Sequence, residues 1–105
     1  YRIVAANLAG GTRSTAGRLI PYTLFIDPEL GRVGLTEAEA RRRGRRVRVA
    51  RLPAAAIPRA MTAGETRGFW KAVVDADTDQ ILGAAILSAE GGEVMAVVQI
   101  AMQAG

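Results

Sequence analysis

The chain has 105 residues, a formal net charge of +4, a half-hydrophobic composition, and neither cysteine nor histidine. That length is enough for one domain with its own core, and the missing residue types exclude disulfides, thiolate ligands, a thiol nucleophile and an imidazole base. Acid and base work would fall to carboxylates and the single lysine, Lys71, so no self-contained catalytic site is expected.

Tyr1 to Leu8 is a short amphipathic piece, and Ala9 to Gly17 is a loop by composition, so residues 1–18 read as the tail of a preceding unit and its linker. Gly10-Gly11 is no dinucleotide fingerprint, since no strand precedes it and the next glycine arrives at the wrong spacing. Leu19 to Ile26 reads as a strand, Asp27-Pro28-Glu29-Leu30 as a turn, and Arg32 to Leu35 as resumed extended chain. Thr36 then caps a helix, Glu39 closes a capping box, arginines fill the last turn where cations suit the dipole, and Gly44 ends it. Arg46 to Leu52 alternates valine with arginine as a half-exposed strand does, and Pro53 closes it. Ala54 to Thr66, with Pro58 and Gly64, reads as a connection holding one helical turn near Ala54 to Ile57.

Gly68 to Asp75 and Gln80 to Ser88 pair as a hairpin across Ala76-Asp77-Thr78-Asp79, where aspartate tolerates the left-handed conformation. A last helix opens at Gly91-Gly92-Glu93. Hairpin-length connections in this order give an α+β fold over residues 19–105: an antiparallel sheet of about five strands with helices packed on it.

The last helix is the most informative segment. Between Val94 and Ala104 only Gln99 and Gln103 are polar. Met95, Val98 and Met102 lie on one stripe, while Val94, Val97, Ile100, Ala101 and Ala104 cover most of the rest. One side lies on its own sheet and the other needs a partner. Val94, Met95, Val98 and Met102 are expected to supply part of a surface that joins two like chains.

Other candidates read as structural. Asp75, Asp77 and Asp79 imitate the start of a calcium loop, but Gln80 stands where glycine belongs and Ile86 where the bidentate glutamate belongs. Glu37 with Glu39, and Asp27 with Glu29, suit capping and turns better than paired-acid catalysis. Glu90 and Glu93 flank the Gly-Gly turn and disfavour phosphate at that helix start. Phe69 and Trp70 point to opposite faces of their strand, so only one joins the main core. Arg41, Arg42, Arg43, Arg45, Arg46, Arg48 and Arg51 supply half of the 14 basic residues. A free-standing module binding nucleic acid or an acidic partner through Arg41–Arg51 is the alternative. No aromatic stacking residue or recognition helix accompanies the cluster, so a solvated helix end and a charge-protected edge strand are preferred.

Three ordered segments, Pro21 to Glu37, Arg59-Ala60, and Gly68-Phe69-Trp70-Lys71 through Ile81-Leu82-Gly83-Ala84 and Gly92-Glu93 to Gly105, carry a resemblance. Together they are similar to the C-terminal dimerisation domain of the pyridine nucleotide-disulfide oxidoreductases, the flavoprotein family of glutathione reductase, dihydrolipoamide dehydrogenase and mercuric reductase. Asp79, where that family often has glycine, and Trp70, where it has an aliphatic residue, are small departures.

The resemblance implies a homodimer, preceding FAD and NAD(P) domains in the same chain, and a parent enzyme that passes electrons from NADPH or NADH through FAD to a disulfide or metal ion. It carries no catalytic, cofactor-binding or metal residue onto these positions, so the fragment alone is expected to be inactive and truncated before the domain's end. No nucleic acid and no membrane are expected, since no apolar run nears the roughly 20 residues of a membrane helix. A cytoplasmic setting fits.

Overall fold

In a computed structural model describing residues 1–105, five strands form one antiparallel sheet in the order β1-β2-β5-β4-β3. The strands are β1 (Tyr22–Leu24), β2 (Leu30–Gly34), β3 (Val47–Pro53), β4 (Phe69–Asp75) and β5 (Ile81–Leu87). The helices are α1 (Arg2–Leu8), α2 (Glu37–Arg42), α3 (Pro58–Ala63) and α4 (Gly91–Ala104), with a 3-10 turn at Ala54–Ala56. This is the expected α+β architecture. No helix is long and apolar enough to cross a membrane.

Three local outcomes differ from expectation. β1 is shorter than Leu19 to Ile26: it starts at Tyr22, after Pro21, which has no N–H to give a ladder, and it ends at Leu24. Pro53 lies inside β3, paired with Phe69, which an edge strand tolerates because its missing donor leaves no ladder bond unmade. The connection after it contains α3, with Pro58 at the first helical turn and Gly64 in the left-handed region at φ 70° as its C-terminal cap. Those two residues are helix start and stop signals as much as loop punctuation.

Cross-strand register divides the side chains between two faces. On the upper face Gly31, Ile86, Trp70 and Leu52 stand side by side across β2, β5, β4 and β3, with Val33, Ala84, Ala72 and Ala50 in the next row. α4 lies over β2 and β5 on this side, and Val33, Ala84, Ile86 and Met95 form the buried core, joined by Leu19, Trp70, Val94, Val98 and Met102. Trp70 is therefore the core member of the aromatic pair, and its Nε1 donates to Ser88 Oγ at 3.0 Å. Phe69 takes the lower face, with the Arg51 guanidinium 4.0 Å from its ring centroid.

On the lower face α2 covers one corner, where Ala40 and Val73 are buried and Lys71 Nζ donates to Glu37 Oε2 at 2.8 Å. The capping box forms as expected. Glu39 N donates to Thr36 Oγ1 at 3.1 Å and Thr36 N donates to Glu39 Oε2 at 2.7 Å. Thr36→Ala should lower stability by about 1 kcal/mol in urea titration, because it strips an oxygen from an orphan amide. An unchanged midpoint would show that the cap contributes nothing.

Candidate dimer interface

α4 approaches the sheet closely because glycines stand where it crosses. A Cβ on Gly31 would press on the Gly91 carbonyl and sit 3.0 Å from the Met95 Cβ; one on Gly92 would sit 2.8 Å from Thr23 Oγ1. The helix start is tied down by Gly92 N, which donates to Glu29 Oε2 at 3.2 Å. A carboxylate from the β1–β2 turn thus faces the positive end of the helix dipole.

The structure spends the inner stripe on the protomer itself. Met95 is 1% exposed, and Val94, Val98 and Met102 are half-buried against the same core. The expected interface residues are therefore gathered on one helix, and their common face turns mostly inward. The outer face carries Val97 at 68% and Ile100 at 66% exposure, with Ala96, Ala101 and Ala104 also exposed. Two apolar stripes were legible in the sequence; which one met the sheet was decided by the glycine-lined approach at Gly31 and Gly92.

The arginine cluster is largely neutralised by side chains of this chain. Arg41 pairs with Glu37, Arg45 with Asp75, Arg46 with Asp77 and Arg48 with Asp79, so four of its seven members meet carboxylates. Three of these pairs bind the start of β3 to the β4–β5 turn, which disposes of the calcium-like aspartates together with much of the patch. This pairing leaves the nucleic-acid reading without support. Asp79 takes φ 61°, the left-handed turn conformation expected of it.

Of the remaining acids, Asp27 and Glu65 are held by Arg67, Glu29 by the α4 start and Glu39 by Thr36, while Glu90 and Glu93 make no side-chain hydrogen bond or ion pair. Hydrogen bonds hold four carboxyls below their ordinary values, Glu65 through Arg67 and three others. Asp75 accepts chiefly from the Asp77 amide, Glu37 from Lys71 and then Arg41, and Glu39 from the Thr36 amide.

Folded values below unfolded ones contribute stability above the ordinary values, 3.8 for Asp75 and 4.5 for the glutamates, and lose it as pH falls through the folded values. The urea midpoint should therefore fall on acidification below about pH 4.5, with Asp75→Asn flattening the lower part of that decline. A wild-type and variant pair with identical pH profiles would remove Asp75 from the account.

Residues 20–105 match the family model of the pyridine nucleotide-disulphide oxidoreductase dimerisation domain. The chain is 47% identical, over its whole length, to the probable pyridine nucleotide-disulfide oxidoreductase RclA of Escherichia coli, covering 24% of that protein. It is 38% identical to the dihydrolipoyl dehydrogenase of Thermus scotoductus and 39% identical to the mercuric reductase of Staphylococcus aureus. Each match takes in 98% of this chain, and they span 22% and 19% of those proteins.

The solved structure of RclA, a flavoprotein disulfide reductase, superposes with a TM-score of 0.88, covering 100% of this chain and 25% of that one; RclA has also been solved as a Cu(II) complex. The chain spans about a quarter or less of the length of these curated relatives. It belongs to the pyridine nucleotide-disulfide oxidoreductase family, as a dimerisation domain.

Proposed function

We propose that this domain joins two copies of a longer FAD- and NAD(P)H-dependent oxidoreductase, with the outer face of α4 as the two-fold contact. The observation that carries this reading is the exposure of Val97 and Ile100 on a helix whose inner stripe is already committed to the core. Val94 and Val98, half-buried, stand at the margin of that contact; Met95 and Met102 support it from beneath. An interface of this kind is isologous, so a nearly uncharged surface suits it: like meets like without electrostatic penalty.

The activity that fits the relatives is electron transfer from NAD(P)H through FAD to an acceptor. One relative is named for mercury and another has been solved with Cu(II), so a metal ion stands beside a disulfide as the acceptor class. The α4 amino end does not fit a dinucleotide phosphate, because Glu29 already accepts from its Gly92 amide. Flavin and nicotinamide are accordingly assigned to other parts of the polypeptide. This domain's contribution is to hold two subunits in register, so that each active site is completed across the interface.

Sedimentation and turnover of the flavin-loaded, full-length protein over a dilution series test the reading together. Turnover per flavin should fall as the dimer dissociates. A monomer at every concentration, or a monomer with undiminished turnover, would overturn it.

A further inference from the structure

The oxidisable sulfur of these 105 residues lies in three methionines, Met61, Met95 and Met102, held at three depths. Met61 on α3 is 54% exposed, Met95 is buried under α4, and Met102 in the last turn of α4 is half-buried.

Met102 is the last residue of α4 that packs on the core. Its methyl group rests over Gly34 at the end of β2, where an added Cβ would come within 2.7 Å of Met102 Cε and would also strike the Leu82 carbonyl. Gly34 takes φ 68°, so glycine serves this position both by its backbone and by its missing side chain. The Met102 side chain also borders open space on two sides. A cleft of about 690 Å³ lies between it and residues 17–21, and another of about 310 Å³ opens toward Asp79 and Gln80. Both admit water and an oxidant of similar size. Met95, at 1% exposure, presents almost no surface to such a molecule.

A thioether suits an apolar seat and a sulfoxide does not. With hydrogen peroxide the sulfur lone pair takes one oxygen, the O–O bond breaks, and the second oxygen leaves as water with both protons. The sulfur is oxidised by two electrons and the peroxide is reduced by two. The product carries a polar S=O group that seeks hydration. At Met102 that hydration lies in the clefts, away from Gly34, so it draws the side chain from its seat and frees the last turn of α4. Ile100 and Ala104, on the outer stripe, move with that turn. Met61 is outside the core cluster and has no such lever.

We propose that Met102 is an oxidation site that regulates association: a two-electron oxygen donor of the peroxide class converts it to the sulfoxide, loosens the end of α4 and weakens the contact between copies. The inference rests on the reading that the outer face of α4 joins two chains.

Peroxide titration of the full-length, flavin-loaded protein tests this, with wild type, Met102→Leu and Met61→Leu compared. Leucine keeps the volume and removes the sulfur, so both variants should fold. Thiol oxidation elsewhere in the chain is common to all three proteins. Fragment-ion mass spectrometry should find a gain of about 16 Da, one oxygen, at Met61 first, Met102 next and Met95 last. Once Met102 is converted, hydrogen exchange at the amides of residues 100–104 and the dimer dissociation constant should each rise by about tenfold. Met61→Leu should respond like wild type, Met102→Leu should show neither change, and methionine sulfoxide reductase should restore both values. Met102 left intact while Met95 is oxidised, conversion without faster exchange, or an equal response in Met102→Leu would each overturn the proposal. Faster exchange with an unchanged dissociation constant in a dimer would also overturn it, since the helix end would not then govern association. A protein that is monomeric at every concentration would instead sink the α4 interface itself, and faster exchange in that monomer would still support the sulfoxide step.

Discussion

Val97→Glu combined with Ile100→Glu will convert the full-length dimer to a monomer, halving the mass seen by light scattering. Both side chains are about two-thirds exposed in the protomer, so the protomer's own fold should be unaffected. In the dimer each new carboxylate would lose water with no cation in reach, since the outer face of α4 has only Glu93 as a charge. An uncompensated buried ion costs several kcal/mol. A loss of about 3 kcal/mol already weakens association by more than a hundredfold. Turnover should fall in parallel if active sites are completed between subunits. Val98→Glu is a poorer probe, because Val98 packs on the core and its loss confounds association with folding. A double variant that keeps the dimer mass would remove α4 from the interface.

Met95→Ala should be the most damaging truncation within the protomer. Met95 is 1% exposed and fills the space between α4 and the Val33, Ala84 and Ile86 cluster. Removing a buried side chain of this size costs about 2–5 kcal/mol, against a total of about 5–15 kcal/mol for a domain. Met95→Leu, nearly equal in volume, should cost less than about 1.5 kcal/mol. Gly31→Ala should rival the Met95 truncation by the opposite route, since its Cβ would collide with the Gly91 carbonyl and lift the helix. Hydrogen exchange at the β2 and β5 amides of the full-length protein reads these losses locally. Equal protection in Met95→Ala and wild type would show that α4 does not stabilise the sheet.

The fold was legible wherever a local signal had one meaning. The capping box at Thr36 and Glu39, the aspartate turn before Gln80 and the alternation along β4 and β5 each point to a single conformation. Pro58 and Gly64 have two meanings, and only the tertiary position of α3 beside Trp70 and Val94 selects the helical one. The site was half legible for a related reason. Eleven residues with two glutamines announce a helix covered on two sides, but helical spacing alone does not rank one apolar stripe above the other. The arginine cluster was opaque for a third reason. Its partners Asp75, Asp77 and Asp79 stand about 30 positions downstream, and the β3–β4 register brings the two runs together.

Trp70 is the only tryptophan of these 105 residues, with its indole N–H held by Ser88 and its ring beside the core under α4. The ring also borders a groove of about 260 Å³ beside Val98 and a smaller one beside α3 and Val94. Its emission is thus a built-in optical gauge: excited near the red edge, it should shift to longer wavelength when α4 lifts, before the sheet itself opens. In this domain, helix detachment and strand separation can be followed as two colours of one unlabelled chromophore.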